Sequence, residues 1–471
     1  MQHERATHDV PRAVPRVAGH PILGNLSEFR RDRVGFLLRV AHEHGDIARV
    51  RFGFLMRGVV ISAPELARET LVECEDAFVK GVGLSLFARP LLGDGLLTSE
   101  HDVHRRQRRM MAPAFMPRRI AEYADTIAAC ADRSVARLAG AATADLSREM
   151  MQLTLEVAGE TLFHSDLSGD AGEVYGALTA AMERVSEQIG AVLPLPPSVP
   201  SPANLRVRRD IRRLDEVIYR LIRQRRAGGG DTGDLLSMLL LARDQDDGGV
   251  MTDKQVRDEA MTIMLAAHET TANALVWSLY LLAHNPDVRE RLEDEVDRVL
   301  AGRSPDLAAL TRLPYALQVF KEAMRLYPPA YIVVRRARRD VTIGGHEVRE
   351  GEAVIVNIIG MHRRASCFPD PLRFRPERFA AEEEKAMDRH AYLPFGGGPR
   401  VCIGNHFALM EGHIALARLV QELRFDLLPG HERADLEPLI TLRPRGGMPM
   451  RISRRARAAS APRSAGGMPG V

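Results

Sequence analysis

Apolar residues recur at three- and four-residue spacing over most of the chain between about residues 100 and 300, the period of helices that bury one face. The proline-rich stretch 193–202 interrupts that pattern. Thr252-Asp253-Lys254-Gln255 has the residue types of a capping box and opens a segment that runs through Ala283. Within it, residues 261–283 carry only His268 and Glu269 as ionisable groups, over an apolar length of about 35 Å. That is long enough to cross a bilayer, but the polar run from His268 to Asn273 at its centre makes a lone span costly, so the segment predicts a helix buried in protein. Further helices are expected over 286–300 and 315–327. Short strands are expected over 47–52, 59–62, 331–334, 341–343 and 353–358, with irregular chain from there to about 394. Ser62-Ala63-Pro64-Glu65 reads as a helix start capped by Ser62. The pattern is that of a mainly α protein with small β-sheets, and it contains no internal repeats.

With 45% hydrophobic residues, the 471-residue chain can bury a sizeable core. Its 65 basic and 62 acidic residues leave a formal charge of +3, too balanced to point to nucleic acid. The four cysteines, Cys74, Cys130, Cys367 and Cys402, form no CxxC pair, which argues against a disulfide framework or a zinc site and for a reducing, cytoplasmic setting. Residues 1–20 are charged and hold no apolar core fit for a signal peptide or membrane anchor. Residues 228–233 match GxGxxG, but a dinucleotide site needs a strand before it, and 210–226 is charged and helix-patterned. This run therefore reads as a solvated interhelical loop.

The chemistry concentrates near the C-terminus, in Phe395-Gly396-Gly397-Gly398-Pro399-Arg400-Val401-Cys402-Ile403-Gly404, followed at once by a helical pattern. Glycines allow backbone to approach a flat cofactor, while a helix N-terminus and Arg400 favour the thiolate of Cys402. The segment resembles the FxxGxRxCxG signature of the cytochromes P-450 at every fixed position: Phe395, Gly398, Arg400, Cys402 and Gly404. The resemblance implies a single large domain over residues 15–453, between a flexible segment 1–14 and a disordered basic tail 454–471. It implies haem b held between the long central helix and the cysteine loop, with Cys402 as the iron ligand and Phe395, Gly398 and Gly404 shaping the loop around the cofactor. A thiolate ligand pushes electron density onto the iron and favours O–O cleavage.

The family's other motifs follow in order. Glu322-Ala323-Met324-Arg325 matches ExxR, and Pro376-Glu377-Arg378-Phe379 matches PxRF. The likeness implies a buried structural network of Glu322, Arg325 and Arg378. Ala266-Ala267-His268-Glu269-Thr270 resembles the oxygen-binding motif, with Ala267 where Gly is usual. By position, Ala266 and Ala267 lie against the haem, Thr270 holds oxygen and a water, and Glu269 relays protons. The blander reading is a threonine bonded back to its own helix beside a solvated glutamate. Propionate partners by position are His104, Arg108, Arg335 and Arg400, since arginine suits a carboxylate.

The resemblance thus implies a monomeric monooxygenase that hydroxylates or epoxidises a hydrophobic small molecule of lipid, terpenoid or polyketide type. No flavin or nicotinamide domain follows the haem portion, so NAD(P)H would act indirectly, through a ferredoxin or flavodoxin with its reductase, docked where Arg105, Arg106 and Arg109 lie. A haem-thiolate peroxygenase or isomerase would do without that partner, but such relatives often lose the acid–threonine pair retained here. A non-catalytic haem protein is the third alternative. Pocket residues are expected near 84–92, 185–201, 264–268, 330–334 and 446–448, with Tyr331 and His268 as polar contacts.

Overall fold

The capping box forms: Thr252 Oγ1 accepts from the Gln255 amide at 3.3 Å, and the Thr252 amide donates to Gln255 Oε1 at 2.9 Å. The helix it opens, Asp253–His284, runs 32 residues. The computed structural model describes residues 13–54, 56–165, 171–189, 191, 194–229, 232–244 and 248–455. Among these, the longer helices are α1 (Arg33–His44), α2 (His101–Met111), α3 (Ala124–Ala139), α4 (Leu146–Leu162), α5 (Ala171–Ile189), α6 (Pro202–Gly228), α7 (Asp253–His284), α8 (Pro286–Leu300), α9 (Pro314–Leu326) and α10 (Asn405–Glu422). Helix α7 packs on α4, α6, α9 and α10, which explains why its centre is apolar all round. No helix among the described residues is long and apolar enough to cross a membrane.

Seven strands matter for the site: β1 (Ile47–Phe52), β2 (Met56–Ile61), β3 (Phe78–Lys80), β4 (Val333–Ala337), β5 (Ala353–Val356), β6 (Leu436–Pro438) and β7 (Leu442–Pro444). The first five form one sheet in the order β1-β2-β5-β4-β3, antiparallel except where β2 meets β5. Strands β6 and β7 form a hairpin whose tip reaches α7: Trp277 Nε1 donates to the Leu442 carbonyl at 3.1 Å. Trp277 is fully buried and stacks on Tyr327 at 4.2 Å. Helices α9 and α10 meet closely at Gly412, where an added Cβ would lie 2.1 Å from the Phe320 ring. A single large cluster fills the helical part, and smaller clusters pack on the sheet.

Several local expectations shift. Helix Pro64–Arg68 starts where expected, with proline in its first turn, but Ala63 holds the cap position and no side chain caps it. The Ser62 hydroxyl accepts from Asn357 Nδ2 instead, at 3.0 Å, a tertiary contact that outcompetes the local cap. The second strand begins at Met56 and the fourth at Val333. Strand β5 stops at Val356, because Asn357 caps a short helix, Ile358–His362. The 193–202 break lies between α5 and α6, with Ser201 capping α6; residues 192 and 193 lie outside the described set. Helix α6 runs directly into the glycine run with no strand before it, and Thr232, Asp234 and Ser237 gather around Arg225; Gly230 and Asp231 lie outside the described residues. The two ends expected to be flexible fall largely outside them too, at residues 1–12 and 456–471.

Candidate active site

Cys402 sits just before α10, its amide donating to the Phe395 carbonyl at 3.0 Å, so the loop closes on itself. Gly398, at φ +70°, is obligatory there: a Cβ would lie 1.8 Å from the Leu71 carbonyl oxygen. The Cys402 side chain is accessible, yet burial among protein atoms raises the thiol's pKa. A side chain that is both deep and accessible lines an internal space. The opposing influences are the Gly404 amide and the Arg108 guanidinium, which favour the thiolate. Arg108 Nη1 donates to the Val401 carbonyl at 2.8 Å, next to the thiol. Arg108, rather than the expected Arg400, supplies the charge that acts on Cys402.

Helix α7 shows the same signature. Ala266 is exposed and Ala267 and Thr270 are half-buried, although Met261–Leu265, His268–Glu269 and Thr271–Leu282 are buried. Positions i, i+1 and i+4 share one face, so this face borders the space between α7 and α10. Thr270 Oγ1 donates to the Ala266 carbonyl at 2.7 Å, the back-bond of the blander reading, which leaves the oxygen's lone pairs free to accept. Glu269 is not solvated: it is buried, and its Oε1 accepts from Thr441 Oγ1 at 2.6 Å. Burial raises its pKa, while Thr441 and, through space, Arg443 lower it.

The expected cations converge, and they bring one that the sequence reading did not single out. Lys80 and Arg335 are directly opposite one another in the β3–β4 pair, and both are buried. Like charges across a strand pair repel. Lys80 Nζ donates to the Leu96 and Ser99 carbonyls at 2.8 and 2.6 Å, yet burial, Arg400 and Arg335 pull its pKa down to about 7 against the upward influence of Glu100 and Glu259. Arg335 falls to about 10 for similar reasons, and His104, buried beside Lys80, Arg400 and Arg108, falls to about 3 and is neutral. Arg400 donates from Nε to Glu75 at 2.8 Å and from Nη1 to Glu100 at 2.5 Å. Two carboxylates on Arg400 do not offset the rest of the cluster. A group bearing two further carboxylates would fit here, and haem b brings two propionates. Together with the accessible thiol, these residues fit a haem.

The ExxR network forms as expected. Arg325 donates to both Glu322 oxygens, from Nε at 2.6 Å and Nη2 at 2.8 Å, with both side chains fully buried. Arg378 Nε and the Arg375 amide complete Glu322 at 3.4 and 2.9 Å. His362 belongs to the same unit and was not anticipated. Its Nε2 accepts from the Leu393 amide at 2.9 Å, so Nδ1 carries the proton and donates to the Arg325 carbonyl at 3.2 Å. It thereby ties α9 to the irregular segment entering the cysteine loop, and burial beside Arg325 keeps it neutral, with a pKa down to about 3.

Three positions expected at the pocket, Tyr331, His268 and Met448, are buried. Tyr331 is fully buried, accepting from Arg33 at 3.0 Å and donating to the Leu439 carbonyl at 2.8 Å, so its hydroxyl is committed to the scaffold. His268 is buried, and its backbone carbonyl accepts from Thr154 of α4 at 2.8 Å. Met448 is buried in the core, and the hairpin tip around Thr441 lies against α7 instead. Arg106 and Arg109 share the buried Asp244, and Arg105 pairs with Asp102 while staying largely exposed.

The profile of the cytochrome P450 family matches residues 14–449. Cyclooctatin synthase of Streptomyces melanosporofaciens is 37% identical over 415 residues, 88% of this chain and 90% of its own. Cyclooctat-9-en-7-ol 5-monooxygenase of the same organism is 35% identical over 87% of this chain and 89% of its own. Pentalenene oxygenase of Streptomyces avermitilis is 32% identical over 93% and 95%. With a family match that spans nearly the whole chain and relatives aligned over most of their length, the chain belongs to the cytochrome P450 family of haem monooxygenases.

Proposed function

We propose that Cys402 is the thiolate ligand of haem b and that the enzyme oxygenates a terpenoid-like hydrophobic substrate. The observation that carries this is the pair of accessible patches in buried surroundings, Cys402 in the loop just before α10 on one side and Ala266, Ala267 and Thr270 of α7 on the other, with α7 and α10 packed together. His104, Arg108, Arg335, Arg400 and Lys80 would hold the propionates, and Phe395, Gly398 and Gly404 would shape the thiolate's loop. When bound, the haem supplies the iron at which dioxygen is activated. Thr270, its proton engaged by Ala266, accepts a hydrogen bond from a water and so keeps that water ordered. Glu269 takes a proton on its outer side and passes it inward. The substrate class rests on relatives named for cyclooctatin, cyclooctat-9-en-7-ol and pentalenene.

Electrons from NAD(P)H would arrive through a ferredoxin or flavodoxin with its reductase. Helix α2 stands beside the cysteine loop through Arg108, and its exposed Arg105 offers positive charge to an acidic partner. All four cysteines are free thiols, which suits the cytoplasm. The ligand assignment is tested by Cys402→Ser, which should abolish the red-shifted Soret band of the reduced carbon monoxide complex, while Cys74→Ser or Cys367→Ser keeps it. An unchanged band in Cys402→Ser overturns the assignment. Terpenoids that shift the haem spin state on titration would identify substrates.

A further inference from the structure

Glu269 is anchored from outside its own helix. Thr441, at the tip of the β6–β7 hairpin, donates to Glu269 Oε1 at 2.6 Å and receives a hydrogen bond from Asn273 Nδ2 at 3.2 Å. An amide nitrogen can only donate, so Asn273 occupies a lone pair of the Thr441 oxygen and leaves its proton directed at the carboxylate. The hairpin tip is itself fixed. Its carbonyls accept from Arg33 at Pro438, from Tyr331 at Leu439 and from Trp277 at Leu442, and the Leu442 amide donates to Pro329. One layer further out, Arg443 binds Glu183 of α5 at 2.6 Å and Glu437 of β6 at 2.7 Å, and the Glu183 side chain is 46% exposed. Among the described residues, Arg443 and Glu183 are the charges that act on Glu269.

We propose that Thr441 is a positioning residue for Glu269. Its hydroxyl donates to the carboxyl and directs it at the hairpin, so that Glu269 takes up its proton at the seam between the hairpin and α5 that the Glu183–Arg443 pair closes. The inference rests on the reading of Glu269 as a proton relay. One proton enters from solvent water onto Glu269 for each one it releases toward Thr270, so the carboxylate is regenerated.

The sign of the effect follows from the geometry. A donor to the ionised form lowers a carboxyl's pKa, so removing the donor raises it. Loss of one such hydrogen bond corresponds to a rise of about one pH unit. The test uses the haem-loaded enzyme and its Thr441→Val and Thr441→Ser variants. Difference infrared titration follows the protonated carboxyl band that is missing in Glu269→Gln. Thr441→Val should move the midpoint up by about one unit, with Thr441→Ser returning it. The acid limb of product formation against pH should move upward with it, because carboxylate is then lost at higher pH.

A midpoint and acid limb unchanged in Thr441→Val, with Glu269→Gln still defective, would overturn the role of Thr441 alone. A Glu269→Gln variant with wild-type turnover and solvent isotope effect would overturn the relay reading itself, and with it the functional meaning of any infrared shift.

Discussion

Two buried glutamates on neighbouring helices, Glu322 and Glu269, are surrounded in opposite ways. Glu322 on α9 accepts from two guanidinium groups and a backbone amide, and it is 0% exposed. Glu269 on α7 is 7% exposed and, among the described residues, has one neutral hydroxyl in contact, with Arg443 and Glu183 acting through space. Burial is nearly the same, so burial does not separate structural from functional carboxylates. The number and charge of donors does. Two guanidinium groups and an amide enclose the first carboxylate on all sides, whereas the second has one neutral hydroxyl among the described residues and is pushed up by burial, the setting that the proposed proton relay needs.

The largest expected effect follows from breaking the saturated site. Glu322→Ala leaves Arg325 fully buried without its carboxylate, a cost of about 3–5 kcal/mol, against a total stability of about 5–15 kcal/mol for a typical domain. Haem absorbance per unit of purified protein should collapse, and the melting temperature of what survives should fall. Normal haem content and melting would place Glu322 in the same exchangeable class as Glu269. Glu269→Gln is the counterpart. The amide oxygen can still accept from Thr441, so folding and haem content should stay normal while turnover falls about 100-fold with the loss of general acid–base function. A folding defect instead would make both glutamates structural.

Thr270→Ala should act more mildly. Among the described residues the Thr270 hydroxyl bonds to Ala266 of its own helix, and alanine is the better helix former, so the fold should be unaffected. The expected change is in product formed per NAD(P)H oxidised, which should drop several-fold as hydrogen peroxide appears in its place. Wild-type coupling with a substrate that carries no hydroxyl would show that the Thr270 oxygen orders nothing beyond its helix.

Legibility in the sequence followed the range of the interaction. The capping box at Thr252, the cysteine signature and ExxR are complete within a few residues, so their types and spacing define them. Partners that meet only in the fold were not legible. Arg400 finds Glu75 and Glu100 at separations of 325 and 300 residues, Thr441 meets Glu269 across 172, and Ser62 leaves its local cap for Asn357 across 295. Lys80 offered a weak signal, a lysine ending a strand that begins with buried Phe78, but nothing local places it opposite Arg335. His362 offered none, because a single histidine between apolar and basic residues has many uses.

The smallest effect is expected at Tyr331, which the sequence suggested as a polar substrate contact and which the fold uses to fasten the hairpin. Tyr331→Phe removes a donor to the Leu439 carbonyl and an acceptor for Arg33, but Arg33 keeps the Pro438 carbonyl at 2.8 Å and Trp277 still holds Leu442. With those bonds intact, the loss should be about 1 kcal/mol, which for a chain this size lowers Tm by about 1 °C. Substrate affinity from spin-state titration should not change, because the ring is buried against the sheet cluster. The acid limb of product formation should also stay in place, since Thr441 remains held by its neighbours. A tenfold loss of substrate affinity would return Tyr331 to the pocket. A shifted acid limb with affinity intact would instead show that the hairpin's fastenings are not redundant, and that the single hydroxyl on Glu269 depends on each of them.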